Sequence, residues 1–402
     1  QTGNMTPPTF LEKPKAERVA IVGAGPAGLN AAYHLGRRGY PVTIFESLPM
    51  AGGMLAVGIP DYRLPRKNLE NDIRFICQHN VEIKTGRSFG KDFTIDELLK
   101  QGYRAVFLAI GAHLNQKMNT PGEDADGVSP GISFLRRVNL GEKVKVGEKV
   151  AVIGGGNVAI DAARTALRLG AKEVSIVYRR TRDEMPANDE EIEEAEHEKI
   201  KILYLVAPTR ILAENGKVKG LECQRMELGA FDASGRRRPV PVKGSEFVLE
   251  VDMAIPAIGY MPDLSCLPQN DGFNTTKAGT LSVDPITLAT HLPGVFAGGD
   301  VVTGPSTVVE AMASGYRAAV SIDRYLKGQD LYKDRFYQAE RRADVPKAEA
   351  EEGEETAVKP RADMPAMAVD RRVCTFEEVN FGFDDETAIR EAKRCLRCDL
   401  ER

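Results

Sequence analysis

The sequence predicts an α/β fold with two Rossmann-like, doubly wound units, one inserted into the other, plus a tethered C-terminal helix. Two glycine-rich loops carry most of this prediction, because each follows an apolar run and precedes a helical pattern; they span 23–28 and 154–159. Strands and helices alternate along residues 19 to 340, which indicates parallel sheets with crossover helices. A later apolar run, 295–297, returns the chain to the first sheet.

The first glycine loop has the chemistry of a dinucleotide site. Gly23 permits a tight turn, Gly25 lets the backbone approach a pyrophosphate, and Gly28 lets the following helix pack on the strand. Glu46 ends the next apolar stretch, where its carboxylate can accept both hydroxyls of an adenosine ribose and repel a 2'-phosphate. This pattern predicts FAD rather than NADP, held by Gly23, Gly25, Pro26, Ala27, Gly28 and Glu46.

Further FAD contacts are expected where small residues let the backbone lie against a flat ring, and where strands end. Asp300 follows such a strand, and two readings of it stay open. It hydrogen-bonds a ribityl or phosphate-linked group, or it caps the helix that starts near Ser306. The remaining candidate FAD residues are Gly53, Gly58, Ile59, Arg63, Gly111, Gly299, Asp300, Ser306, Thr307 and Val308.

The second glycine loop has the opposite charge pattern. Ala159 replaces the third glycine, and the next strand runs into Arg179 and Arg180, whose guanidinium groups can pair with a 2'-phosphate. The alternative is a solvated basic turn, since the acidic residues at 183, 184 and 189–191 are close in sequence. The loop therefore predicts NADPH, bound by Gly154, Gly156, Asn157, Val158, Arg179 and Arg180.

Six short motifs follow one another along the chain: Gly58-Ile59-Pro60, Arg63-Leu64-Pro65, Gly154-Gly155-Gly156-Asn157, Arg179-Arg180-Thr181, Met185-Pro186-Ala187 and Gly299-Asp300-Val301-Val302-Thr303-Gly304. In this order they resemble the small-subunit family of NADPH-dependent glutamate synthase, most strongly its branch in electron-bifurcating ferredoxin:NADP oxidoreductases. The resemblance implies a flavoprotein in which an NADPH domain is inserted into an FAD domain, with hydride passing between nicotinamide and isoalloxazine. It also implies a place for Gly259 at the return crossing, beside the NADPH site.

The domain boundaries follow from changes in composition and pattern. A helix is expected over 307–325, and the stretch 200–250 alternates like antiparallel strands. Residues 347–360 are acidic, rich in alanine and poor in large apolar residues, which predicts a flexible tether. The predicted parts are a linker at 1–14, an FAD domain at 15–113 and 290–342, an NADPH domain at 114–289, a flexible acidic linker at 343–371 and a C-terminal helical segment at 372–402.

The C-terminal segment ends in a Cys-x-x-Cys pair. Asp384, Asp385 and Glu386 are expected to cap a helix with an apolar face made of Ala388, Ile389, Ala392 and Leu396. Three thiols, one fewer than the usual iron-sulfur or zinc set, lie in this segment: Cys374, Cys395 and Cys398. An iron-sulfur site and an unligated thiol pair both remain open.

Members of the resembled family usually carry a cysteine-rich cluster domain upstream, whereas about sixteen residues without cysteine precede the first strand here. We therefore expect iron-sulfur centres on an upstream part now removed or on partner subunits, with ferredoxin as a further partner. The net charge of −4 without a basic stripe argues against nucleic acid. No apolar run has the length of a membrane span and no signal peptide is recognised, which predicts a cytoplasmic protein.

The expected chemistry belongs to the flavin, and no side chain is predicted to be catalytic. Residues 1–373 contain no Cys-x-x-Cys, so disulfide reduction beside the flavin is not expected. The sequence predicts a flavoprotein oxidoreductase subunit that exchanges hydride between NADP(H) and FAD and passes electrons to or from iron-sulfur centres. Two alternatives are a free-standing NADPH dehydrogenase that reduces quinones or dyes, and a flavin-bearing scaffold subunit.

Overall fold

The computed structural model describes residues 10, 12–232, 235–267, 272–333, 335 and 361–393. Its strands are β1 Arg18–Val22, β2 Val42–Phe45, β3 Val81–Lys84, β4 Tyr103–Leu108, β5 Leu114–Asn115, β6 Lys149–Ile153, β7 Glu173–Tyr178, β8 Lys201–Tyr204, β9 Val206–Glu214, β10 Lys217–Phe231, β11 Arg237–Pro241, β12 Phe247–Leu249, β13 Met253–Pro256, β14 Tyr260–Met261 and β15 Val295–Ala297. The helices are α1 Pro26–Arg37, α2 Met54–Val57, α3 Arg66–Cys77, α4 Ile95–Lys100, α5 Gly131–Asn139, α6 Asn157–Arg168, α7 Asp189–His197, α8 Asp300–Thr303, α9 Val308–Leu326, α10 Val369–Arg372 and α11 Asp385–Lys393.

The first unit is built on a five-stranded parallel sheet with the strand order β15-β4-β1-β2-β3. The central strands β1 and β4 are almost entirely apolar and buried, as expected for a parallel sheet covered on both faces. Helix α9 packs on α1 at close range, because a Cβ added to Gly315 would lie 2.2 Å from the carbonyl oxygen of Ala27. The return of the chain through β15 makes this unit discontinuous, as predicted.

Helix α9 starts where the sequence places it. Thr307 caps it, and the side chain of Glu310 reaches back to complete a capping box. Asp300 instead opens the short helix α8. The reading of Asp300 as the cap of the long helix is therefore wrong.

The inserted unit contains a second parallel sheet with the order β13-β6-β7-β8. Strand β8 pairs with β7 in parallel, so the antiparallel pattern predicted from residue 200 begins only with β9. The reason is that α7 returns the chain to the same edge of the sheet and extends the doubly wound unit by one strand. Strands β9 to β12 then form the antiparallel sheet that carries the long β10–β11 hairpin.

The chain enters and leaves the inserted unit through one antiparallel pair, β5 with β14. After β14, Leu267 and Leu281 join the apolar core of the first unit, and Leu288 joins the cluster below α1 and α9. This packing favours an end of the inserted unit near residue 261, whereas the sequence pattern had suggested 289.

Residues 361–371, which the prediction assigned to the flexible linker, are mostly exposed, but Met367 among them is buried and pairs with the segment that follows. Val379 is fully buried, and its N–H donates to the carbonyl oxygen of Tyr62 at 3.1 Å. The backbone N–H of Met367 donates in turn to the Val379 carbonyl at 2.8 Å. This part of the linker prediction is therefore wrong, and residues 343–360 lie outside the described part.

Helix α11 begins as predicted, since Asp384 accepts a hydrogen bond from the backbone of Thr387 at 2.8 Å. Its expected apolar face is not buried, because Ile389 is 57% exposed. The predicted residues Leu396, Cys395 and Cys398 lie outside the described residues. Within the described ranges, no helix combines the length and apolar character needed to cross a membrane.

Candidate functional site

A cavity of about 680 Å³ lies between the two units. The first glycine loop lines one side, and Asn157 and Val158 at the start of α6 line the other. Both loops therefore face a common space. The residues predicted to contact FAD that line this cavity are Gly23, Gly25, Pro26, Ala27, Glu46, Gly53, Gly58, Ile59, Arg63, Gly111, Gly299, Asp300, Ser306, Thr307 and Val308.

The glycines of the first loop have different structural roles. Gly23 has φ +105°, and a Cβ there would lie 2.3 Å from the carbonyl oxygen of Ala109. Gly28 does not line the cavity, and its Cβ would lie 2.0 Å from the carbonyl oxygen of Gly23. Gly25 faces open space, since an added Cβ would have Gly53 Cα, 3.9 Å away, as its nearest neighbour. Two glycines thus permit tight packing, and the third keeps the start of α1 accessible.

Glu46 is a buried carboxylate held by the loop that it follows. One oxygen accepts from the backbone N–H of Ala24 at 2.8 Å, and the other accepts from the N–H of Leu48 at 2.8 Å. Its side chain also lines the cavity. The predicted contact with a ribose stays a prediction, but the carboxylate is rigidly oriented at the cavity wall.

Asp300 borders the same cavity at the end of β15. Burial raises the pKa of its carboxyl to about 6, although the backbone N–H of Ser306 donates to it and opposes this shift. Gly299 precedes it with φ +74°. This location supports the reading of Asp300 as a ligand-facing group.

The second loop repeats the turn of the first with similar packing. Gly154 has φ +142°, and a Cβ there would lie 2.3 Å from the carbonyl oxygen of Ala257. Gly156 has room for a side chain, since an added Cβ would lie no closer than 3.8 Å to another residue, at Pro186 Cγ. Helix α6 begins at Gly156 without a side-chain cap. Neither residue lines the cavity, and neither does Gly259 at the return crossing.

The two predicted phosphate-binding arginines lie outside the cavity and differ from each other. Arg179 is exposed. Arg180 is buried, and it donates to a carboxylate oxygen of Asp232 and to the carbonyl oxygen of Arg237, each at 2.7 Å. The alternative partners at 183, 184 and 189–191 do not hold it. Arg179 is therefore accessible to a phosphate, whereas Arg180 would first have to release Asp232.

Two acidic residues at the junction of the two units, Asp161 and Glu191, were missed from the sequence, and both pair with a predicted FAD contact. Arg63 of the first unit binds Asp161 of α6 at 2.7 Å and also pairs with Glu191 of α7. Burial raises the pKa of Asp161 to about 6, although Arg63 opposes this shift. A single acid within the alanine-rich sequence of α6 was the available signal.

His113 and Arg136 form a second polar pair on the cavity wall. Arg136 donates to Nδ1 of His113 at 2.8 Å. Burial, reinforced by the charge of Arg136, lowers the pKa of His113 to about 4. The histidine is therefore neutral at physiological pH, in the form that can accept from the guanidinium.

Behind the junction, a buried charge cluster connects both units to the C-terminal segment. Glu198 accepts from Arg164 and Arg168, each with a shortest contact of 2.7 Å, and Arg372 of α10 lies 3.3 Å from the same carboxylate. The guanidinium carbon Cζ of Arg168 lies 3.9 Å from the ring centroid of Tyr62. The C-terminal segment thus packs directly behind the loop that carries Arg63.

The described cysteines do not form a metal centre. Cys374 is exposed, and no group of three potential metal ligands is found within the described ranges. Burial raises the pKa of the Cys77, Cys223 and Cys266 thiols, which makes them poor nucleophiles.

Comparison with known proteins agrees with the geometry. The model of the pyridine nucleotide-disulphide oxidoreductase family matches residues 17–315. The chain is 51% identical over 389 residues to the beta subunit of the NADP(+)-dependent formate dehydrogenase of Moorella thermoacetica, covering 95% of this chain and 54% of that protein. It therefore spans about half the length of that relative.

A putative NADPH glutamate synthase small chain of Cereibacter sphaeroides is 38% identical, with 78% of each chain covered. The solved structure of Mycobacterium tuberculosis FprA in complex with NADPH shares the fold with a TM-score of 0.67 at 21% identity, covering 78% of this chain and 85% of FprA. The predicted fold class is thus confirmed. The chain belongs to the pyridine nucleotide-disulphide oxidoreductase family and, within it, to the group that includes the small chain of NADPH-dependent glutamate synthase, as its motifs predicted.

Proposed function

We propose that this chain is the flavoprotein subunit of a larger redox complex, where it exchanges hydride between NADP(H) and FAD and passes electrons to or from an iron-sulfur centre. The observation that carries this proposal is that the first glycine loop and the start of α6 line the same cavity. A nicotinamide nucleotide held by the second loop could reach a flavin held by the first within that cavity.

The residues around the first loop fit FAD. Helix α1 starts at Gly25 without a side-chain cap, so the N–H groups and positive dipole of its first turn can receive a pyrophosphate. In contrast, Thr94 and Thr307 cap α4 and α9 with their own side chains. The oriented carboxylate of Glu46 suits ribose hydroxyls. When bound, FAD supplies the hydride and electron-transfer chemistry.

The work of the chain itself is to hold and orient the two nucleotides. The Arg63–Asp161 pair joins the two units at the wall of the cavity. Arg179 and Arg180 supply charge that favours NADPH over NADH, because a charge-assisted hydrogen bond contributes about 1.5–3 kcal/mol. The additional candidates for the NADPH site are Gly154, Gly156, Asn157, Val158 and Gly259.

A partner is supported by the relatives, one of which is named as a formate dehydrogenase subunit and another as a glutamate synthase small chain. We expect iron-sulfur subunits or a cluster domain, with ferredoxin as a further candidate partner. Cys374, Cys395 and Cys398 are three potential ligands for such a cluster, which a partner would complete. Cytoplasmic location remains part of this proposal.

Anaerobic titration of the FAD-loaded protein with NADPH tests the central step. We expect bleaching of the flavin absorbance near one equivalent, and much weaker bleaching with NADH. An unchanged spectrum with FAD bound would instead support the scaffold alternative.

A separate experiment tests the transfer of electrons from the flavin to a partner. We expect the isolated chain to pass electrons from NADPH to artificial dyes but not to ferredoxin. Iron analysis of the wild-type chain and of Cys395→Ser and Cys398→Ser accompanies this assay. Rapid reduction of ferredoxin by the chain alone, or stoichiometric iron that survives both substitutions, would contradict the role of a partner.

A further inference from the structure

Arg180 has an anionic partner inside the protein. Its side chain is only 5% exposed, and its Nη2 donates to Oδ2 of Asp232 at 2.7 Å. Its Nε donates to the carbonyl oxygen of Arg237 at 2.7 Å. Both acceptors belong to the β10–β11 hairpin, so this hairpin occupies the guanidinium that the proposed function assigns to the 2'-phosphate.

Asp232 also shapes the connection of the hairpin. Its backbone N–H donates to the carbonyl oxygen of Arg236 at 2.7 Å, and its own carbonyl accepts from Gly235 at 3.0 Å. The position of the carboxylate is therefore set by the turn in which it lies. Its pairing with Arg180, 52 residues away, joins the hairpin to the end of β7.

A carboxylate and a phosphate compete for the same face of a guanidinium, because both accept its planar array of N–H donors. The hairpin engages the Nε and Nη2 donors of Arg180, so a 2'-phosphate that takes these same two donors must displace Asp232. We propose that Asp232 is an internal competitor for the 2'-phosphate, which holds Arg180 in the free protein and is displaced when NADP(H) binds. This inference rests on the proposed NADP(H) site.

The competitor affects only nucleotides that carry the 2'-phosphate. Such a ligand must first displace Asp232, and its apparent affinity equals its intrinsic affinity multiplied by the fraction of protein in which Arg180 is already released. A nucleotide without the 2'-phosphate leaves the Arg180–Asp232 pair intact. Asp232 thus tunes selectivity and limits how tightly the product nucleotide is retained.

The test measures binding by calorimetry with adenosine 2',5'-bisphosphate and 5'-AMP as probes. Asp232→Asn keeps an oxygen that can accept from Arg180 and removes the charge. We expect it to bind the bisphosphate about five- to tenfold more tightly than wild type, the factor for a competent state populated about 10 to 20% of the time. Affinity for 5'-AMP should not change.

Glu227→Gln is the matched control, since Glu227 is exposed on β10 of the same hairpin and its replacement changes the net charge equally. This variant should bind both probes as wild type does. Equal or weaker bisphosphate binding by Asp232→Asn, in a protein with an unchanged melting temperature, would overturn the inference.

A second measurement uses wild-type protein and does not depend on the folding of a variant. Amide exchange in strand β11 should become faster when NADP⁺ binds and stay unchanged with NAD⁺, because release of Asp232 frees the hairpin. Protection of β11 by NADP⁺ would contradict displacement. If wild-type protein does not bind the bisphosphate at all, the proposed function fails together with this inference. Binding by wild type without an effect of Asp232→Asn refutes only the inference.

Discussion

The two glycine loops solve the same structural problem and place their selective charges in different ways. Glu46 is held by the backbone N–H of Leu48, two residues on, and by that of Ala24 in the glycine loop of the same unit. Arg180 is held by Asp232, which lies 52 residues away on a separate antiparallel sheet. The first charge is therefore prearranged by local structure, whereas the second depends on a distant hairpin. The comparison predicts a rigid first site and an adjustable second site.

The largest expected effect comes from Gly28→Ala. Its Cβ would lie 2.0 Å from the carbonyl oxygen of Gly23, so α1 must shift away from the loop. We expect destabilisation of about 3 kcal/mol, seen as a lower unfolding midpoint in urea, and loss of bound FAD. Gly156→Ala in the second loop is the control, because its nearest neighbour is 3.8 Å away, and it should keep wild-type stability. Equal unfolding midpoints for the two variants would contradict the packing explanation.

Glu46→Gln tests the rigidity of the first site. Glutamine keeps the size of the side chain, but its NH₂ group would face the N–H of Ala24 or of Leu48 and leave it unpaired. The unpaired N–H is present with or without FAD, so it lowers the free energy of unfolding by about 1–3 kcal/mol. Loss of the charge-assisted hydrogen bond to the ribose, about 1.5–3 kcal/mol, weakens FAD binding roughly ten- to hundredfold. Flavin content after dialysis at several FAD concentrations measures it. Unchanged retention would show that Glu46 does not contribute to FAD binding.

The two arginines of the second site should differ when replaced individually by alanine. Arg179→Ala should raise the KM for NADPH about tenfold, with little change for NADH, if this exposed side chain contacts the 2'-phosphate. Arg180→Ala should in addition lower the melting temperature, since it leaves Asp232 without its buried partner. Steady-state kinetics with both nucleotides and thermal unfolding distinguish these effects. Equal changes for NADPH and NADH would argue against phosphate recognition.

Arg372→Met tests the connection between the sites, since the C-terminal segment contacts both units. Glu198 keeps Arg164 and Arg168 as partners, so we expect a moderate loss of about 1–2 kcal/mol in the free energy of unfolding. Arg371→Met is the control, because Arg371 is 72% exposed and its contact with Glu377 is 3.7 Å long; its effect should stay below about 0.5 kcal/mol. Urea unfolding of the two variants provides the measurement, and a reversed order would contradict the role of the buried cluster.

The smallest expected effect is a pH dependence from His113. Its pKa is lowered from 6.5 to about 4, so the unfolded chain takes up this proton first. The free energy of unfolding should therefore fall as the pH decreases from 6.5 to 4, and His113→Gln should remove this contribution. Asp300 and Asp161, each with a pKa raised to about 6, act in the opposite direction between pH 6 and 4, so the difference in slope between wild type and His113→Gln isolates the histidine. Urea unfolding at pH 7 and pH 5 measures both, and an unchanged slope in His113→Gln would contradict the assignment.

The sequence predicted those features that arise from local patterns. The glycine loops, the apolar strands, the start of the long helix near residue 307 and the cap at Asp384 each depend on a few adjacent residues, and the structure reproduces them. Features that depend on distant contacts were missed. Arg372 lies 3.3 Å from Glu198, which is 174 positions away in the sequence. The pairing of Arg180 with Asp232 was hidden for the same reason.

The β5–β14 pair places the entrance and the exit of the inserted unit side by side. The first unit therefore keeps adjacent strands β4 and β15 whether the interruption between them is long or short. This arrangement makes the nucleotide unit a cassette, which could be grafted or exchanged through two short cuts without altering the order of strands in its host. Because β5 and β14 are the two covalent connections to the first unit, a rotation of the inserted unit would take place about this strand pair.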